Sequence, residues 1–267
     1  MDTSQNLNFS VKQGIGHLII DRPPVNALGR ELIQDLTKFA IGLNKMIFAG
    51  QADVRALILS ANGNHFCAGA DLKERQSMSE DQVEKAVTAT REMTNAMANI
   101  SVPVIAAIHG SAIGGGMELA LAADLRVLAV NATMGLRETA LAIIPGAGGT
   151  QRLPCLIGPS KAMYWITSAK IFSAYQCLQD GVANFVVNDA DLLNKAREIA
   201  GEIAQNGPIA VRAAKEAIVR GLDVEAHIGM EIERQSYARI IPTEDRLEAL
   251  KAFQEKRPPV FKGRKSL

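Results

Sequence analysis

Apolar stretches of strand length alternate along this chain with segments of helical periodicity, and that alternation restricts the fold more than any other feature. The short runs cover residues 17–20, 56–60, 104–109, 125–130 and 185–187, most of them closed by Gly, Asn or Asp. Between them, residues 31–47 set Leu32, Leu36, Phe39, Leu43 and Ile47 at spacings of three and four, and residues 81–100 and 116–123 also read as helices. An α/β architecture follows, with helices packed outside sheets whose strands are buried on both faces. At 267 residues, 48% of them hydrophobic, the chain suffices for one large core, with or without an appendage.

From about residue 188 onward the pattern is helical throughout: 190–205, 209–220, 224–239 and 243–255. Gly207-Pro208 separates the first pair, Gly221 closes the second helix, and Thr243 is placed to cap the last. A helical tail attached without a flexible linker folds back on the core or packs on a partner subunit, and the second is expected because oligomers bury such elements.

Several function classes are disfavoured. Lys+Arg 29 against Asp+Glu 28 leaves +1, so no overall field draws the chain to nucleic acid or to an anionic membrane. The most apolar region, 102–130, is interrupted by His109, Glu118, Asp124 and Gly114 to Gly116, which a membrane span would not tolerate cheaply. Cys67, Cys155 and Cys177 form no close pair, and the four histidines lack ligand spacing, so neither a disulfide framework nor a metal site is expected. The polar first 13 residues carry no targeting signal, which makes the cytoplasm the expected compartment.

Three glycine-bearing segments could carry chemistry. Residues 64–73 follow a strand and offer Ala68, Gly69 and Ala70, small enough for a backbone to approach a ligand, with Asp71 near a helix N-cap. In the second, Gly114-Gly115-Gly116 opens a helix and exposes backbone N–H groups, a setting for an anion or a developing oxyanion; no Lys-Ser or Lys-Thr follows, so it is not a phosphate loop. Glu118 stands just beyond, followed only by small or apolar residues, where a carboxylate must be paired, protonated or functional unless it turns to water. The third, 134–153, holds a second acid, Glu138, and Gly146, Gly148 and Gly149. Two glutamates in apolar, glycine-lined surroundings suit general acid/base work.

Phe66-Cys67-Ala68-Gly69-Ala70-Asp71-Leu72-Lys73, Ile113-Gly114-Gly115-Gly116-Met117-Glu118-Leu119-Ala120 and Ile144-Pro145-Gly146-Ala147-Gly148-Gly149-Thr150-Gln151-Arg152-Leu153 resemble the enoyl-CoA hydratase, or crotonase, family. The likeness runs from Ile19 to about Pro259. It implies a crotonase-like spiral of ββα units over residues 1–195, followed by a helical trimerisation region, 196–267, whose trimers often pair into hexamers. It also implies a coenzyme A thioester as substrate and no metal or redox cofactor; from the charge balance and the interrupted apolar region, neither DNA nor a membrane is an expected partner. The family's oxyanion hole falls on the N–H groups of Ala70 and Gly115. Glu118 matches the acid that activates water, and Glu138 the one that exchanges the proton at Cα. Ala68, Asp71 and Leu72 fall on the adenine and pantetheine path of coenzyme A, Gly146 in the substrate-binding set, and Phe253 and Lys256 on a contact to the coenzyme of a neighbouring subunit.

Within the family the chain is most similar to the AU-rich-RNA-binding methylglutaconyl-CoA hydratases, through residues 68–75, 150–154 and 241–248. It departs from them in the first helix. RNA binding in that branch is linked to a row of lysines, whereas residues 31–47 offer only Lys38 and Lys45 beside Glu31 and Asp35, too few cations for a phosphate-binding comb. Arg137 before Glu138 is a second departure; such a cation either depresses the acid's pKa or pairs with an acidic acyl group. Hydration of an enoyl-CoA is the expected activity, with methylglutaconyl-CoA hydration, double-bond isomerisation and an RNA-binding member of weak activity as the alternatives.

Overall fold

The computed structural model describes residues 4–264, so the first three residues of the polar leading stretch and the last three of the helical region lie outside the described residues. β1 (Leu7–Lys12) and β2 (Ile15–Ile20) form an antiparallel hairpin. The chain continues through α1 (Arg30–Phe48) to β3 (Ala56–Ala61), and through α2 (Leu72–Gln76) and α3 (Glu80–Ala98) to β4 (Val104–Ile108) and β5 (Ser111–Ile113). Next, α4 (Gly115–Leu121) leads to β6 (Leu125–Ala129) and β7 (Thr133–Gly135). α5 (Gly149–Ile157), α6 (Pro159–Thr167), β8 (Phe172–Ser173), α7 (Ala174–Asp180) and β9 (Phe185–Val187) complete the strand-bearing part. The large sheet has the order β1-β2-β3-β4-β6-β9, parallel after the first pair, and a small sheet has the order β5-β7-β8. From β4 onward each strand of the large sheet has a chain neighbour in the small one, β4 with β5, β6 with β7 and β9 with β8, so the chain winds as a spiral.

The apolar periodicity explains the packing. Leu32, Leu36, Phe39, Leu43 and Ile47 are all buried on one face of α1, and α3 packs beside it with Met93 and Met97 buried. The inner strands β3, β4 and β6 are buried almost throughout, whereas β1, at the sheet edge, keeps one side open. Arg126 on β6 is only 2% exposed, and its guanidinium donates to Ala123 O (2.7 Å) and Val182 O (2.6 Å). It thereby satisfies a carbonyl just past the end of α4, the helix that opens on the three glycines.

The tail does two things. α8 (Leu192–Ala204) packs across β2, β3, β4 and β6, so the division at 195/196 passes inside a helix of the core. α9 (Pro208–Gly221) is pinned by Lys215, whose Nζ donates to Asp124 Oδ2 (2.6 Å) and Val102 O (3.0 Å), and α10 (Ala226–Ala238) packs against α9. Thr243 caps α11 (Glu244–Glu255), its hydroxyl accepting from Arg246 N. Ile218, Leu222, Met230, Tyr237, Leu250 and Phe253 stand exposed on this part of the chain. Among the described residues no helix is long and apolar enough to cross a membrane.

Candidate active site

The three glycine-bearing segments converge where the small sheet meets α4. Cys67 N donates to Ser111 O and Ile113 N to Cys67 O, both at 3.0 Å, so this segment runs like an added strand beside β5. Two glycines permit the approach. Gly69 has φ +91°, and a methyl on it would lie 2.6 Å from the Ile113 carbonyl oxygen; Gly114 has φ +54° and ψ −125°, and a methyl there would lie 2.9 Å from Glu138 Oε1. Two backbone N–H groups are brought together as a result: a methyl on Gly115 would stand 3.8 Å from Ala70 N, and one on Gly69 3.4 Å from Gly115 N. Among the described residues neither Ala70 N nor Gly115 N has an acceptor. Neighbouring N–H groups without acceptors can hold a carbonyl oxygen that gains negative charge.

Glu118 does not turn to water. It is 3% exposed on the first turn of α4, and its Oε1 accepts from Ala147 N (2.7 Å) and Gly149 N (2.9 Å). Burial raises its pKa, while the two N–H groups and the charge of Arg152 oppose that rise. Glu138 begins a 3-10 turn, Glu138–Leu141, held to α6 by Thr139 Oγ1 donating to Ile166 O (2.8 Å). Its Oε2 is buried without a partner. Burial, reinforced by the Glu118 charge, pushes its pKa up to about 7. Burial raises the pKa of both acids, but at Glu118 two N–H donors and a cation oppose the rise, whereas Glu138 Oε2 has no such partner and the acid is poised to hold a proton near neutral pH.

Arg137 is exposed and does not act on Glu138 as one expectation had it: the acid's pKa is raised, and its causes are burial and Glu118. Burial pushes the Cys67 thiol up to about 12, which leaves it inert. Among the described residues no three His, Cys, Asp or Glu side chains form a group that could hold a metal ion. A cleft leads away from Leu28 and Asp71 between α1, α2 and α3, with Arg30, Arg75 and Lys85 along it.

The sequence profile of the enoyl-CoA hydratase/isomerase family matches residues 10–264. The chain belongs to this family. The mitochondrial methylglutaconyl-CoA hydratase of Homo sapiens is 46% identical over 243 residues, 89% of this chain and 70% of that protein. An enoyl-CoA isomerase/hydratase of Mycosarcoma maydis is 42% identical over 256 residues, 94% of this chain and 93% of that one. The 1.8 Å crystal structure of enoyl-CoA hydratase from Bacillus anthracis is similar at a TM-score of 0.93 and 46% identity, covering 97% of this chain and all (100%) of that one. The architecture is therefore the crotonase fold, and the chain is an enzyme of a family that acts on coenzyme A thioesters.

Seen as a member of this family, the chain brings together most of the residues its motifs single out. Gly69, Ala70 and Gly115 adjoin one another, Glu138 adjoins Gly114 and feels the Glu118 charge, Ala68 donates its N–H to Val25 O, and Gly146 faces α3, where a methyl on it would meet Val87 at 2.7 Å. Asp71 caps α2, accepting from Lys73 N and Glu74 N, and Arg22 Nη2 donates to its other oxygen at 2.9 Å; that guanidinium holds the carboxyl below its usual range. Its oxygens are thus engaged within the protein. Leu72 is 60% exposed beside it. Phe253 is 85% exposed on α11, and Lys256 ends that helix in a left-handed conformation. Sequence reasoning missed Arg22, Thr94 and Arg152. Arg152 stands in the quoted Thr150-Gln151-Arg152-Leu153 run, so its motif was visible but its partners were not.

Proposed function

We propose that this enzyme hydrates a 2-enoyl-CoA reversibly to the 3-hydroxyacyl-CoA. The N–H groups of Ala70 and Gly115 receive the thioester oxygen, each donor stabilising the enolate-like transition state by about 3 kcal/mol. Ionised Glu118 orients water and takes one of its protons as the oxygen bonds to Cβ. Protonated Glu138 gives its proton to Cα, and proton return from Glu118 to Glu138 through solvent closes the cycle, so that one water has been added across the double bond. The observation that carries this assignment is the asymmetry of the two acids, with two N–H donors on Glu118 Oε1 and none on Glu138 Oε2.

Coenzyme A enters as part of the substrate. Ala68, Leu72 and the main chain at Asp71 border its path, with Gly146 on the acyl side. Arg30, Arg75 and Lys85 supply cations for its phosphates along the neighbouring cleft. The exposed apolar residues of α9 to α11 support self-association into a trimer or hexamer, which would bring Phe253 and Lys256 to a neighbour's coenzyme. Light scattering is expected to give three or six times the 28.6 kDa chain mass; a monomer at micromolar concentration would remove that assignment.

The test of function is loss of enone absorbance with crotonyl-CoA and 3-methylglutaconyl-CoA. Turnover of either supports hydration, and the larger kcat/KM identifies the acyl preference. Deuterium exchange at Cα without a hydrated product would make the protein an isomerase, a reaction for which one acid suffices. Absence of both activities would overturn the proposal.

A further inference from the structure

We propose that Arg152 and Thr94 are positioning residues for Glu118, acting through the Ala147 peptide. Ala147 presents both ends of its backbone to this assembly: its N–H donates to Glu118 Oε1 at 2.7 Å, and its carbonyl accepts from Thr94 Oγ1 at 2.7 Å and Arg152 Nη1 at 3.0 Å. Arg152 Nη2 donates to Asn95 Oδ1 at 2.7 Å, which fixes the guanidinium against α3. Residues 142–148 are an irregular connection between the 3-10 turn and α5, with Gly146 and Gly148 on either side of Ala147. The Thr94 and Arg152 side chains grip the Ala147 carbonyl from outside this connection, and with it the amide that stands at hydrogen-bond distance from Glu118. Gly149 N, the second donor to Glu118, follows two residues later as the first residue of α5.

Arg152 has a second effect. The charged groups facing Glu118 are Arg152 from α5 and Glu138 from the 3-10 turn, while α3 contributes the neutral Thr94 and Asn95. Arg152 favours ionised Glu118 and Glu138 opposes it. Loss of the cation therefore raises the Glu118 titration midpoint, whereas loss of the Thr94 hydroxyl leaves the charges in place. The two residues share a structural task and divide an electrostatic one.

The kinetic half of this inference rests on the proposed hydration; the titration half does not. Carbon-detected NMR of the glutamate carboxyls, with the Glu118 signal assigned by its disappearance in Glu118→Gln, reads the midpoint directly. Arg152→Met is expected to raise it by about one pH unit or more, and Arg152→Lys to recover most of the shift. Thr94→Val is expected to raise the midpoint by less than Arg152→Met does, because it loosens the Ala147 N–H bond to Glu118 but leaves the cation in place, while kcat falls roughly tenfold with KM within about twofold. An unshifted midpoint in Arg152→Met, or Thr94→Val with unchanged kcat, would overturn the corresponding half. Should no enoyl-CoA be turned over, the midpoints alone decide whether Arg152 acts on Glu118; should Arg152→Met fail to fold, Arg152→Lys against Thr94→Val still separates charge from grip.

Discussion

Glu118→Gln and Glu138→Gln are each expected to lower kcat for enoyl-CoA hydration by a factor of about 10²–10⁴, with KM changed little. Both substitutions are nearly isosteric, and the surroundings of each acid indicate that the fold tolerates them. In Glu118→Gln the amide oxygen of the new side chain can still accept from Ala147 N and Gly149 N, so only charge and basicity are lost. At Glu138 the unpartnered oxygen Oε2 leaves no hydrogen bond to break. If the two groups act on one water addition as proposed, the double variant should be scarcely slower than the worse single one. Stopped or coupled assays on crotonyl-CoA check this, and a variant within threefold of the wild type would remove that residue's role.

The same residue gives a pH signature. In the proposed hydration Glu138 carries a proton, and its pKa is pushed up to about 7, so kcat/KM should decline above neutrality and Glu138→Gln should lack that limb. Stability provides a readout independent of turnover. Below the ordinary glutamate pKa of 4.5, Glu138 is protonated in both folded and unfolded chains. Between there and about 7 the unfolded chain releases the proton while the folded one keeps it, so the wild type loses stability as pH rises through that window. Denaturant unfolding should find Glu138→Gln equal to the wild type near pH 4 and more stable near pH 8, by about 2 kcal/mol after allowance for solvent screening of a half-buried group. Equal stability of the two proteins at both pH values would show that the acid is not held in a desolvating environment.

What was legible in the sequence depended on how far apart the cooperating residues lie. The α1 stripe from Leu32 to Ile47 is a local pattern, and every one of its five apolar positions is buried. Thr243 and Asp71 were readable as caps because a cap acts within one turn. β5, β7 and β8 were not readable: with two or three residues each, including Gly135, they have no periodicity to detect and exist because the spiral lays them side by side. The same limit applies at the site. Glycines beside Glu118 announced a close backbone approach, but the donors that reach its carboxylate lie 29 and 31 positions away, and the Thr94 that fixes them lies 53 positions from Ala147. The resemblance put Asp71 on the coenzyme path without revealing that Arg22, 49 positions earlier, already occupies one of its oxygens.

Gly114→Ala is expected to reduce kcat/KM by about 10²–10³, the loss associated with one oxyanion donor, at a stability cost of about 1–3 kcal/mol. Gly114 is anchored on both sides: its N–H donates to Gly135 O at 2.8 Å, and its carbonyl accepts from Glu118 N at 2.9 Å. Its φ of +54° and ψ of −125° orient the next amide, that of Gly115. An alanine cannot hold this conformation without strain, and relaxation about ψ would turn the Gly115 N–H from the place where it neighbours Ala70 N. The added methyl would also stand 2.9 Å from Glu138 Oε1, which opens a second route to a loss of rate, through the acid itself. Combining Gly114→Ala with Glu138→Gln separates the two routes. If the methyl acts only by displacing Glu138, the double variant is no slower than Glu138→Gln alone; if it acts by turning the Gly115 amide, the two losses multiply, because donor and acid serve different atoms of the substrate. The second outcome is expected, and a Gly114→Ala enzyme within a few-fold of wild-type kcat/KM would mean that the oxyanion is bound elsewhere.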